Sequence, residues 1–167
     1  MTAIERRWEL KEWCKDVPVK EMSLQQARAY WAYLQDQAEL KLKRYIDAPR
    51  GSPYKDEARA EAETYERLAR IFAKNFEQPI AKAEDIPHGL TAEQAASFLN
   101  YLDEEIAYFN SALEEAQSKR AEALAKVQEA DYSRVKSIYK LMTNQDKDRI
   151  LILEHSRERF TSILQDG

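Results

Sequence analysis

The chain has 167 residues, 44% hydrophobic and 34% charged, with a formal net charge of −4. That balance fits one folded domain, or one domain with an appendage, and excludes a disordered chain. Only three Gly and five Pro stand among abundant Ala, Glu, Leu, Lys and Arg, which leaves little turn chemistry for a sheet and points to an all-α protein.

The opening residues, MTAIERRWELKEW, are charged from Glu5 onward and lack the apolar core of a signal peptide. They predict a first helix over about 3–16, opened by the Thr2/Glu5 capping box and closed at Val17-Pro18. Cys14 lies in register with Leu10 and Val17 on that helix and reads as a buried, inert thiol. Trp8 and Trp13 are five apart and point about 140° from each other, so they are candidate partner anchors together with Tyr33.

A second helix, about 24–46, starts at the Ser23/Gln26 capping box and carries the stripe Leu24, Ala27, Trp31, Leu34, Ala38, Leu42 and Tyr45. Ser52-Pro53 starts a third, about 53–77, with Ala58, Ala62, Tyr65, Ala69, Phe72 and Phe76 on one face and a stop at Gln78-Pro79. The short loop between them predicts an antiparallel hairpin. Thr91 with Gln94 is a further capping box, and Thr143 with Asp146 fits another start.

Between Thr91 and Thr143 no Gly or Pro intervenes. Leu102, Leu113, Leu124 and Val135 recur every eleven residues, with Ala116, Val127 and Ile138 as a second row. Eleven residues in three turns keeps a stripe on one face of a nearly straight helix, so the pattern predicts one continuous helix over 92–142 and a last one over 144–165. About 50 residues span roughly 75 Å, more than the roughly 40 Å of a compact chain this size. The expected architecture is an elongated bundle of about five helices around that long helix. Residues 1–118 would form the bundle and 119–167 a two-helix C-terminal arm.

Chemistry is harder to find. His88 and His155 are the two histidines and Cys14 the one cysteine, too few for a zinc site. Neither histidine belongs to a Glu-x-x-His unit of the di-iron type. There is no nucleophile elbow and no glycine-rich phosphate loop. His88-Gly89 reads as a turn, Glu154-His155 as a solvated helix surface, and Asp103-Glu104-Glu105 as an exposed acidic run without cause for a shifted pKa. The expectation is a non-catalytic protein without metal or cofactor.

Binding features remain. Glu115, Glu122 and Glu129 recur every seven residues and form a candidate docking stripe for a basic partner, such as a nucleic-acid-handling protein. Tyr108, Leu151 and Ile152 spread apolar surface beyond the stripes of their helices and are further interface candidates. An alanine-lined partner cannot cover the last helix, so another protein or a second copy is expected to complete the arm. Residues 91–130 carry three basic and eight acidic residues, against general nucleic-acid binding; residues 131–167 carry seven basic and six acidic, a pattern that intrahelical pairing would explain.

No apolar run approaches the roughly 18–20 residues of a membrane span. The sequence therefore reads as a cytoplasmic, non-membrane interaction protein: an adaptor, assembly factor or inhibitor. A nucleic-acid-associated accessory factor using the basic residues of the arm ranks second, and an enzyme of unrecognised type third.

Overall fold

The computed structural model describes residues 20–128 and 131–166; the expected first helix with Trp8, Trp13 and Cys14 lies outside them, as does Glu129. Among the described residues the fold is all-α, with helices α1 (Leu24–Asp47), α2 (Pro53–Ala73), α3 (Ala92–Lys126) and α4 (Tyr132–Gln165) and a short 3-10 turn at Ala83–Asp85.

The predicted starts work as their chemistry requires. Ser23 and Thr91 each accept the backbone N–H of the residue three on, and Gln26 and Gln94 return the bond to the cap. Ser52 accepts from Tyr54 N at 3.2 Å, with Pro53 at the first helical position. Helix α2 stops at Ala73 rather than near residue 77. There the Asn75 side chain donates to the Phe72 carbonyl at 2.9 Å, and the tightened turn rolls Phe76 into the core, 1% exposed.

The long helix divides elsewhere than expected. Helix α3 ends at Lys126, Val127 is extended, and α4 runs unbroken from Tyr132 through Thr143 to Gln165. The continuous 92–142 helix and the start at Thr143 are therefore both corrected. Thr143 does not cap; its hydroxyl donates to the Lys140 carbonyl at 3.0 Å within the helix, a bond that lets threonine sit mid-helix. Because α4 runs back antiparallel to α3, Val135 and Tyr139 are half-buried, burial that an unbroken helix would forgo, and packing outweighs local propensity. Past Leu102, the half-buried positions Ile106, Phe109, Leu113, Ala116, Arg120, Ala123 and Val127 alternate in steps of three and four. That spacing is a heptad seam; Leu113, Ala116 and Val127 of the eleven-residue rows lie on it, and Leu124, also half-buried, lies beside it.

One aromatic layer joins all four helices. Tyr30 of α1 lies 5.1 Å from Phe72 of α2, 5.7 Å from Phe98 of α3 and 5.0 Å from Phe160 of α4, mostly edge to face. Tyr30 shares a short hydrogen bond with the buried Ser156 hydroxyl, and burial pushes its phenol above the ordinary range. The core takes Ile152, Leu153, Phe160, Ile163 and Leu164 from α4, so it runs across the expected division at residue 118.

Pairings above the layer fix the directions. Gln26 bonds to Ile163, Tyr30 to Ser156, and Tyr33 lies under Arg159, so α4 is antiparallel to α1. Tyr30 meets Phe72 and Lys41 meets Glu61, so α2 is antiparallel to α1 as well. Phe98 meets Phe160, Asp103 pairs with Arg157, and Phe109 lies under Arg149, which makes α3 and α4 an antiparallel hairpin. The ends of α1 at Asp47 and of α3 at Lys126 therefore lie at the same end of the fold.

The other end is stapled. Met22 and Leu90 exchange two backbone hydrogen bonds of 2.9 Å, joining the residues just before α1 and α3. Gly89 makes this possible, because a Cβ there would stand 1.9 Å from the Met22 carbonyl oxygen. Arg28 holds the connection from α2 through the Ile86 carbonyl at 3.0 Å, and Ile86 is wholly buried. Asp85 accepts the amides of Ala81 and Lys82, which holds its carboxyl below the usual range.

Candidate interaction surfaces

The two hairpins differ in reach. From the aromatic layer, α1 runs 17 residues from Tyr30 to its end at Asp47, while α3 runs 28 from Phe98 to Lys126. At 1.5 Å per residue these are roughly 25 and 42 Å, so the α3–α4 hairpin projects about 17 Å past the α1–α2 turn. The projecting part covers roughly residues 116–142. From Asp103 to Lys140 no described residue is fully buried, while Tyr132 is 43% and Ile138 50% exposed.

Charge follows the same division. Residues 116–142 contain six basic and three acidic residues, a net +3, which leaves −7 on the rest of the chain. Residues 132–145, the first half of α4, contain Arg134, Lys136 and Lys140 and no acid. The intrahelical pairing expected along this helix occurs at its bundle end, where Arg149 bonds Asp146 at 3.1 Å; Arg157 instead bonds Asp103 of α3 at 2.9 Å. Arg134, Lys136, Lys140 and Lys147 join no ion pair among the described residues.

The expected site residues scatter. Tyr108 is 66% exposed beside Phe109, and Leu151 is 50% exposed. Ile152 is 5% exposed and belongs to the core, so it is corrected from interface candidate to packing residue; one step along a helix turns a side chain by about 100°. Tyr33 is half-buried by its own chain, between the rings of Tyr30 and Tyr65 and under Arg159. Glu115 and Glu122 are exposed on α3, and Glu115 pairs with Lys119 at 2.9 Å. His155 and Glu154 are exposed, and His88 sits in an exposed turn with its Nδ1 2.7 Å from the Gly89 carbonyl.

A surface missed by sequence reasoning lies at the α1–α2 turn. Leu40, Leu42, Ile46 and Tyr54 are 42–74% exposed, and a shallow depression of about 720 Å³ opens between Leu40, Arg44, Pro49 and Tyr54. Leu42 was expected in the core stripe, but the α1 stripe stops at Ala38. Leu40 and Ile46, apolar yet off the stripe, were the available signal. A second depression, about 470 Å³, runs between α2 and α3 with the Arg67–Glu105 pair, 3.0 Å, across it. Arg149 lines it over the Phe109 ring.

Where α4 passes the top of the bundle, Asp148 has a carboxyl raised by burial and then by Glu61 and Glu57, with Lys41 opposing. Glu61 itself bonds Lys41 at 3.1 Å. No cluster of three or more His, Cys, Asp or Glu among the described residues is placed to hold a metal ion. No helix among them is long and apolar enough to cross a membrane. No protein-family model, curated protein or solved structure matches this chain.

Proposed function

We propose that the protein is a non-catalytic helical interaction protein, an adaptor, assembly factor or inhibitor, whose binding element is the projecting α3–α4 hairpin. One observation carries this reading: the hairpin leaves the bundle without a dry interior of its own, from Asp103 to Lys140, and keeps Tyr132 and Ile138 in water. Helical pairs gain most of their stability from tertiary packing, so a partner that covers this seam stabilises the arm as it binds. The partner is another protein or a second copy of the chain. Exposed Tyr beside aliphatic side chains is the usual composition of a contact centre.

The test is affinity capture and sedimentation with the intact chain and with a Tyr132→Ser/Ile138→Ser variant. The expected result is a captured protein or a dimer with the intact chain, at least tenfold weaker for the variant, with unchanged thermal unfolding of the bundle. Equal capture and equal sedimentation for the two chains would overturn the reading.

A further inference from the structure

We infer that one flank of the arm is a binding site for the phosphodiester backbone of nucleic acid, read without regard to sequence. This goes beyond the protein contact proposed above and uses different side chains. Lys136, Lys140 and Lys147 stand four and seven residues apart on α4, which places them within about 40° of one another around the helix. Ser133, Ser137 and Asn144 share this side of the helix by the same spacing. All three lysines are exposed, and none joins an ion pair among the described residues.

The missing pairs decide the matter. A cation balanced by a neighbouring acid is explained by helix stability alone, which is how Arg149 is held, and Arg157 is held across the hairpin by Asp103. Between Tyr132 and Gln145 the chain offers no acid at all, so Lys136 and Lys140 have none within that stretch to balance them, while Lys147 stands between Asp146 and Asp148 and Asp146 is taken by Arg149. A polyanion supplies that balance. The three lysines lie about 6 and 10 Å apart along the helix, a row of roughly 16 Å that can meet several phosphates of one strand. Hydroxyl and amide side chains beside them are the ordinary uncharged donors to phosphate oxygens.

The acidic bundle does not forbid this. The row begins at Lys136, about 10 Å or one Debye length beyond the level of the α1–α2 turn, and ends at Lys147, just inside it, so its outer part is the part least exposed to the acidic bundle. A membrane surface fits less well, because the exposed apolar residues in line with the lysines, Tyr132 and Leu151, lie one turn beyond Lys136 and Lys147 at opposite ends of the row rather than between them. Tyr139 and Val135 are turned toward the seam and half-buried.

The experiment is fluorescence anisotropy with labelled 20-nucleotide single-stranded and duplex DNA, over a range of salt. Expected is binding whose log–log salt slope for duplex is about −3, from three to four phosphate contacts at about 0.9 each. The K136Q/K140Q/K147Q variant should bind at least tenfold more weakly with a slope reduced by about 2 to 3. Circular dichroism melting of this variant should match the parent, because all three side chains are exposed. K119Q/K126Q, on the other helix of the hairpin, should change affinity less than twofold. No binding at about 50 mM salt would overturn the proposal, as would equal affinity of parent and triple variant. Loss in the triple variant of binding to phosphatidylserine vesicles alone, with DNA unbound, would overturn it in favour of a membrane.

Discussion

The two ends of the α3–α4 hairpin are made from the same helices under opposite rules. At the bundle end, Phe98, Leu102, Leu153 and Phe160 are almost wholly enclosed, and the arginines of α4, Arg149, Arg157 and Arg159, are matched by acids or an aromatic ring. At the far end, the seam narrows to Ala116, Ala123, Val127 and Val135, all half-buried, and the α4 cations Arg134, Lys136 and Lys140 join no ion pair among the described residues. A helix can thus be a core element over half its length and a presented surface over the other half. The boundary is set by where its neighbours end, since α1 and α2 turn back near the level of Thr143, the outermost fully buried residue of α4 among those described.

The largest effect that would break this contrast comes from the aromatic layer. Phe160→Ala should cost about 3–5 kcal/mol of unfolding free energy by urea denaturation, the range for a buried Phe. Val135→Ala in the arm should cost under about 1 kcal/mol, because its site is already half open. Equal losses would mean that the arm is as tightly packed as the bundle. Next in size is Gly89→Ala. Its methyl group would collide with the Met22 carbonyl, so the Met22–Leu90 staple must part, at a cost of about 1–3 kcal/mol. Amide exchange at Met22 and Leu90 should rise while the arm's exchange stays as it was.

Smallest is a charge effect at the border of the two regions. The Asp148 carboxyl is raised in the folded chain by burial and by Glu61 and Glu57. A raised carboxyl favours folding once protonated, below the unfolded carboxylate range, and that contribution is lost as pH rises through the folded value. Asp148→Asn should therefore raise the melting temperature slightly at about pH 7 and leave it unchanged at about pH 3, on either side of carboxylate titration. A decrease at neutral pH would show that Asp148 is held by cations, with Lys41 outweighing the glutamates. Solvent screening keeps the effect small, because much of the side chain remains exposed.

Much of this was legible in the sequence, and the failures share a cause. The capping boxes at Ser23 and Thr91, the Ser52-Pro53 start and the all-α class follow from local chemistry, which a single sequence carries in full. The turn at 127–131 has neither Gly nor Pro, and nothing in Lys126-Val127-Gln128 announces it. It exists because the chain gains burial by folding back, a benefit that becomes visible only when both helices are in place. Thr143 misled for the complementary reason: its hydroxyl can cap a helix or bond back within one, and packing chose the latter. Of the candidate site residues, Tyr108 and Leu151 are exposed as an interface requires. The adjacent Ile152 is not, because the facing direction on a helix buried on several sides is set by neighbours rather than by period. The unmatched lysines were countable in the sequence, but their lack of partners was not.

The heptad seam has a consequence for length. A hairpin whose inward positions repeat every seven residues, and whose turn relies on no special residue, can be lengthened in whole repeats. Seven residues added to each helix near the turn would carry the tip about 10 Å farther while every inward position keeps its register. The bundle would be untouched, because its last enclosed residues lie well below the insertion. Reach is thus an adjustable dimension of this fold, set by the number of repeats and independent of the core that anchors them.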